Sequence, residues 1–187
     1  MKKILTIVLV FISVICNAQN INKLDEQRGF KDIKIGDLKI KWIDWLTYDQ
    51  TKEGVSSYRF NLEKCCNTIF DMKIEVLTLL FKNDKIVGIK IIPEKIQKGS
   101  NENEPTRIEI GFQKYENFIS NFSSLFGNPT GQSSPQNKGV PVRRAQWLGK
   151  NVFLQLDYNY YGVLNGDRLQ VDLWDMTFVK SSISSGF

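Results

Sequence analysis

Apolar and polar positions change their period several times along this chain, and each change marks an element. Tyr115, Phe118, Ile119, Phe122, Leu125 and Phe126 recur at mostly three- and four-residue spacing, while Glu116, Asn117, Ser120, Asn121, Ser123 and Ser124 fill the opposite side. That stripe predicts an amphipathic helix over 112–126. Gly127 suits the left-handed position just past a helix end, and Pro129 cannot continue the helix. A helix with one apolar side needs a sheet to cover it.

The period then drops to two. Residues 145–148 form a strand candidate ended by Gly149-Lys150-Asn151. Over 152–158, Val152, Leu154, Leu156 and Tyr158 alternate with Phe153, Gln155 and Asp157; over 168–175, Leu169, Val171 and Leu173 alternate with Gln170, Asp172 and Trp174. Such alternation places one set on a core and the other toward water. The helix is expected on the face carrying Leu154, Val171 and Leu173. The link 159–167, with Gly162 and Asn165-Gly166, reads as a hairpin loop.

The earlier half repeats the plan more loosely. Residues 72–82 and 85–93 predict a hairpin joined at Asn83-Asp84, with Leu77, Leu79 and Phe81 on the core face of one strand and Val87, Ile89 and Ile91 on that of the other. Pro93 ends the second strand. Asp37 is a candidate cap for a short helix containing Leu38, Trp42, Ile43, Trp45 and Leu46; the alternation of Leu38, Ile40 and Trp42 offers a strand instead, and the helix is preferred. A strand is expected over 58–62, and another over 107–112, leading into the helix. Segments 19–27 and 181–187 read as loose ends, 94–105 as a polar linker, and 127–142 as the longest loop. The fold class is α+β: one or two helices packed on an antiparallel sheet, as two helix-plus-three-strand units in tandem (36–93 and 112–176) within a single domain, 19–187.

Residues 1–18 carry the parts of an export leader: basic Lys2-Lys3, an apolar run over 4–16 too short to span a bilayer comfortably, and a small-residue cleavage site at Asn17-Ala18. Ile15 stands where a lipidation signal needs a small residue, which disfavours acylation of Cys16. The expected destination is the periplasm or the exterior. The mature chain has no second apolar stretch long enough for a transmembrane helix. Removing the two leader lysines lowers the formal net charge of +5 to +3. This excess is mild and unclustered, so no nucleic-acid partner is expected.

The chain has no histidine. Ser-His-Asp and Cys-His nucleophiles and histidine metal sites are therefore excluded, while carboxylate-only and Ser-Lys chemistry stay open. No catalytic, cofactor-binding or metal-ligating residue is assigned, and no cofactor is expected. Cys65 and Cys66 are adjacent. In an oxidising compartment they form a vicinal disulfide, pair with another chain, or stay as thiols. Asp157 and Asp172 fall on the outward sets of two strands, where an acid–base pair and a merely solvated face are the competing readings. Phe153 and Trp174 share that outward set; with Trp147 on the strand beside them and Arg144 nearby, they form a candidate interaction surface, since exposed aromatics and arginine are typical anchors of interfaces. The competing and preferred reading is that residues 1–35, the tail or the first unit covers that face and makes these aromatics ordinary core.

The leader ending NAQ, the GFKDIKIG start, the IEVLTLLFKNDKIVGIKI hairpin, the FGNPT helix exit and the RAQWLGKNVFLQLDY block resemble small exported proteins of Gram-negative bacteria. At the level of architecture, repeated helix-plus-antiparallel-sheet units are similar to β-lactamase-inhibitor-protein-like and BamE-like outer-membrane-assembly modules. That resemblance implies protein binding through a sheet face or loop, without catalysis. The adjacent cysteines depart from the inhibitor family's framework, and no binding residue is carried over. The expectation is a non-catalytic interaction module of the cell envelope with a protein partner. A carboxylate-dependent hydrolase and a binder of small apolar ligands between helix and sheet are the alternatives.

Overall fold

The computed structural model describes residues 22–96, 107–134, 136–137, 140–160 and 167–184. Its strands are β1 (Gly29–Phe30), β2 (Ile33–Lys34), β3 (Leu46–Lys52), β4 (Val55–Phe60), β5 (Thr68–Ile69), β6 (Met72–Lys82), β7 (Lys85–Pro93), β8 (Gly131–Ser133), β9 (Gln136–Asn137), β10 (Val140–Leu148), β11 (Val152–Asn159) and β12 (Arg168–Asp175). β1 and β2 form a separate small hairpin, and the main sheet runs β3-β4-β6-β7-β12-β11-β10-β8, with β5 against β6 and β9 against β10. Every pairing is antiparallel. The helical elements are α1 (residues 22–27), a 3-10 helix over Lys39–Trp45, α2 (Arg107–Phe126) and α3 (Met176–Ser184). The fold is α+β on antiparallel sheet.

The two halves share one sheet, which joins where β7 meets β12 through Ile91↔Val171 and Ile89↔Leu173. Leu154, Leu156, Leu169, Val171, Ile89, Ile91, Leu77 and Leu79 all point to one face and are buried. α2 lies over that face with Tyr115, Phe118, Phe122 and Phe126 buried beneath it. Removing each such side chain from water stabilises the fold by roughly 1.5–3 kcal/mol. Gly111 is needed because α2 crosses Tyr158 at that point: a Cβ there would lie 2.6 Å from the Tyr158 Cζ. The Tyr158 hydroxyl donates to Asp167 Oδ2 at 2.9 Å inside the core.

Two hairpins have two-residue turns with both residues at positive φ, the geometry that matches strand twist. They are Asn83-Asp84 (φ 51 and 58) and Glu53-Gly54 (φ 53 and 74). The first follows the sequence expectation. In the second hairpin, the predicted strand over 58–62 is β4 and begins three residues earlier, while Leu46, expected in the short helix, opens β3.

Several other expectations are corrected. Residues 107–112 are the first turns of α2, not a strand: the three-to-four stripe extends back to Gly111 and overrides the short alternation. A register shift between Leu80 and Phe81 leaves Val87 as an extra residue on β7, so Ile86 joins Ile89 and Ile91 in the core. Asp37 does not cap the 3-10 helix. Its Oδ2 instead accepts from the Lys34 N–H, the Trp42 indole and Lys41 Nζ at 3.1, 3.2 and 2.9 Å. Burial pushes the Asp37 carboxyl up, but these donors hold it below the usual range.

The lead-in is structured from residue 22. Leu24 is buried, and Asp25 accepts three backbone N–H groups of the β10–β11 turn, from Lys150, Asn151 and Val152, at 2.7, 2.7 and 3.0 Å. The expected long loop contains β8, β9 and the start of β10, and the expected loose tail is helical to Ser184. The leader with Cys16, most of the polar linker, and the turn glycines at 162 and 166 lie outside the described residues.

Candidate functional site

Side chains one residue out of phase with the core set point to the opposite face of the sheet. Registry places them in cross-strand rows. One row runs Gln146, Gln155, Asp172, Lys90, Thr78, Arg59; a second runs Arg144, Asp157, Gln170; a third runs Leu148, Phe153, Trp174, Gly88, Leu80. α2 covers none of these rows. α3 folds back over the third, where Phe178 stacks on Trp174 (centroids 5.9 Å apart, planes 12° apart) and Lys82 sits 5.4 Å from the Phe178 ring. Trp174 lies against Gly88 so closely that a Cβ there would meet the indole at 2.9 Å.

The other two rows form a hydrogen-bonded polar layer. Arg144 grips Asp157 with two bonds, Nε to Oδ1 and Nη2 to Oδ2, each 2.8 Å. Gln155 Nε2 also donates to Asp157 Oδ2 at 2.9 Å, and Gln146 Nε2 donates to Gln155 Oε1 at 2.9 Å. Asp172 Oδ2 accepts from Gln170 Nε2 at 2.6 Å. Asp157, Asp172 and Asn159 are each only 6 % exposed, which makes them buried polar groups on the face that α2 leaves uncovered. Burial pushes the Asp172 carboxyl up to about 6; the Gln170 bond and the Lys90 charge oppose that, and the Asp157 charge adds to it. Asp157 and Asp172 are diagonal neighbours across β11 and β12, which places them on the order of 7–8 Å apart.

Beside this layer lies a cleft of about 490 Å³, lined by Lys90, Ile92, Lys95, Asn159, Arg168 and Gln170. Three of these side chains are cationic. Arg168 reaches Glu75 at 3.4 Å, while Lys90 and Lys95 make no salt bridge among the described residues. The cleft therefore offers positive charge beside the Asn159 and Gln170 amides, an arrangement that suits a carboxylate-bearing ligand.

The sequence-predicted surface is only partly assembled. Phe153 and Trp174 are cross-strand partners on the face opposite α2, both half-buried, and Phe178 of α3 stacks on Trp174, so the tail covers part of the predicted surface. Arg144 is on the same face but committed to Asp157. Trp147 is not on this surface: it is 2 % exposed, points toward α2, packs 5.4 Å from Phe122 and donates its indole N–H to the Gly127 carbonyl at 2.8 Å. Cys65 and Cys66 form a vicinal disulfide, with Cys66 buried at φ 67. Sequence reasoning missed Lys90, Lys95, Asn159 and Arg168. Lys90 alternates with Ile89 and Ile91, so its outward direction was readable, but its neighbours on β12 were not.

Among the described residues no group of three or more acidic or cysteine side chains is placed to hold a metal ion, and no helix is long and apolar enough to cross a membrane. Comparison with protein-family models, curated proteins and solved structures finds no match to this chain.

Proposed function

We propose that the mature chain is an exported, non-catalytic binding protein of the cell envelope that takes an acidic segment of a protein partner on the face of its sheet opposite α2. The observation that carries this reading is the cleft in which Lys90, Lys95 and Arg168 converge beside Asn159 and Gln170. The leader pattern of residues 1–18 supports export, and the Cys65–Cys66 disulfide is in keeping with an oxidising compartment. Phe153, half-buried at the end of the same face, is an apolar side chain at its margin, while Trp174 beside it is already stacked under Phe178 of α3.

The test is a titration of the mature chain with a glutamate-rich peptide and its glutamine counterpart, followed by fluorescence anisotropy. The expected result is saturable binding of the acidic peptide alone, weakened by salt and abolished in Lys90→Gln/Lys95→Glu. Equal affinity for both peptides, or no loss in the variant, would sink the reading.

One observation favours a second reading, carboxylate-dependent hydrolysis: Asp172 holds its proton to about pH 6 and has a second carboxylate diagonal to it. A glycosidase pair needs both carboxyls available. Here both Asp157 oxygens are taken by Arg144, which is why binding is preferred. Hydrolysis of a chromogenic glycoside, lost in both Asp157→Asn and Asp172→Asn, would reverse that preference.

A further inference from the structure

The helix-covered face contains a feature that the binding reading does not use. Between the C-terminal half of α2, the β1–β2 hairpin and the sheet lies a pocket of about 220 Å³. It is lined by the buried Leu173, Phe122, Phe126 and Ile69, and by Phe70 and Leu125, whose exposure places them at its mouth. Protein interiors pack densely, with few voids larger than a water molecule. An apolar cavity of about 150 Å³ lined by Leu, Ile and Phe is enough to hold benzene, so this solvent-open pocket has room for a small apolar body.

The mouth is built rather than left over. Phe70 and Leu125 are 36 % and 38 % exposed, among the few large apolar side chains on the described surface. Phe70 occupies positive φ (50), a region an aromatic residue rarely adopts. That backbone aims its ring edge-on at Phe118 and Phe122, 5.0 Å from each. The neighbouring Asp71 is tied to Lys114 of α2 at 2.8 Å, which fixes the turn to the helix. On the opposite rim, Lys31 lies 5.5 Å from the Phe30 ring centroid and supplies a cation at the entrance.

We infer that this pocket binds a small monoanionic amphiphile, its apolar body among Phe122, Leu173 and Ile69 and its anionic head at Lys31. Scaled from the benzene cavity, the space holds on the order of eight to ten carbon atoms. A medium-chain carboxylate fits both the volume and the charge at the rim. A longer chain would leave its end in water.

The probe is a series of saturated carboxylates from six to twelve carbons, kept below their micelle-forming concentrations. They are added to the mature chain and followed by methyl NMR. The expected result is saturable shifts at the Ile69, Leu125 and Leu173 methyls. Affinity should rise about fourfold per added methylene and level off near eight to ten carbons. Leu125→Trp, which plugs the mouth at an exposed position, should weaken binding about tenfold or more. Lys31→Gln should weaken the carboxylate by about two- to fivefold and leave the matching alcohol unchanged, which identifies the head-group contact even if the first variant folds poorly. No saturable shift at these methyls would overturn the inference. So would an affinity indifferent to chain length, or a Lys31→Gln effect equal for acid and alcohol.

Discussion

The face of the sheet covered by α2 and the face free of α2 are made by the same strands, one residue out of phase, yet they are built on different physics. On the covered face Leu154, Val171, Leu173, Ile89 and Leu79 are buried in one core with the apolar side of α2, and stability comes from apolar area removed from water. On the free face Arg144, Asp157, Gln155, Gln170 and Asp172 hold one another by hydrogen bonds while partly losing their own water. Buried ion pairs and carboxylates contribute little net stability and often less than apolar replacements of similar volume. The covered face is therefore where the fold is specified, and the free face is where polar chemistry is kept at a cost in stability. A surface kept in that way is a reasonable place to look for recognition.

The largest expected effect tests the covered face. Phe118 is fully buried under α2, and Phe118→Ala should lower unfolding free energy by about 3–5 kcal/mol in urea denaturation. A loss below about 1 kcal/mol would mean that α2 is not the lid the structure describes.

A second prediction sets the free face against that one. Arg144→Leu alone leaves Asp157 buried without its cation and should destabilise by roughly 2–4 kcal/mol, discounted because Arg144 is partly exposed. Arg144→Leu/Asp157→Leu together should return to within about 1 kcal/mol of the parent, since an apolar pair of similar size replaces an ion pair. If the double variant is as unstable as the single one, the polar layer is a structural element rather than a functional one.

The third concerns proton linkage at Asp172, whose carboxyl rises from an unfolded value of 3.8 to about 6 in the folded chain. The unfolded chain releases this proton first, so stability is unaffected below pH 4. It is lost progressively between pH 4 and 6, by at most roughly 3 kcal/mol above that window. Asp172→Asn cannot ionise and should remove this loss. The variant should be more stable than the parent at pH 8 and equal to it near pH 4, as read by thermal unfolding across pH. A constant difference at every pH would contradict the assignment.

The smallest effect sharpens the link between the lead-in and the sheet. Asp25→Ala frees three backbone N–H groups of the β10–β11 turn and should cost about 1–3 kcal/mol. Hydrogen exchange should quicken at Lys150 to Val152 and stay unchanged in β6.

How far these faces could be read in advance depended on range along the chain. The stripe Tyr115–Phe118–Phe122–Phe126 and the alternation of Leu154 and Leu156 with Gln155 and Asp157 are local, and they predicted both the helix and which face it covers. Asn83-Asp84 carried its turn in two residues. Trp147 was ambiguous because its strand offers two alternating sets: Ala145 with Trp147, or Gln146 with Leu148. Packing against Phe122 chose the first and left Leu148 49 % exposed. Val87 was misplaced by a bulge, which alternation cannot register. The cleft was invisible because it requires β7 to sit beside β12, a pairing between residues some 80 positions apart. Strand periodicity fixes the face a side chain occupies, and only tertiary pairing decides which side chains become its neighbours.

The most direct test of the account is amide shift mapping of the labelled mature chain titrated with a glutamate-rich peptide. The account predicts saturable shifts at Lys90, Ile92, Lys95, Asn159, Arg168 and Gln170, with α2 from Tyr115 to Phe126 unmoved. Shifts concentrated on α2, or none at any of these amides, would contradict the claim that recognition belongs to the face free of α2.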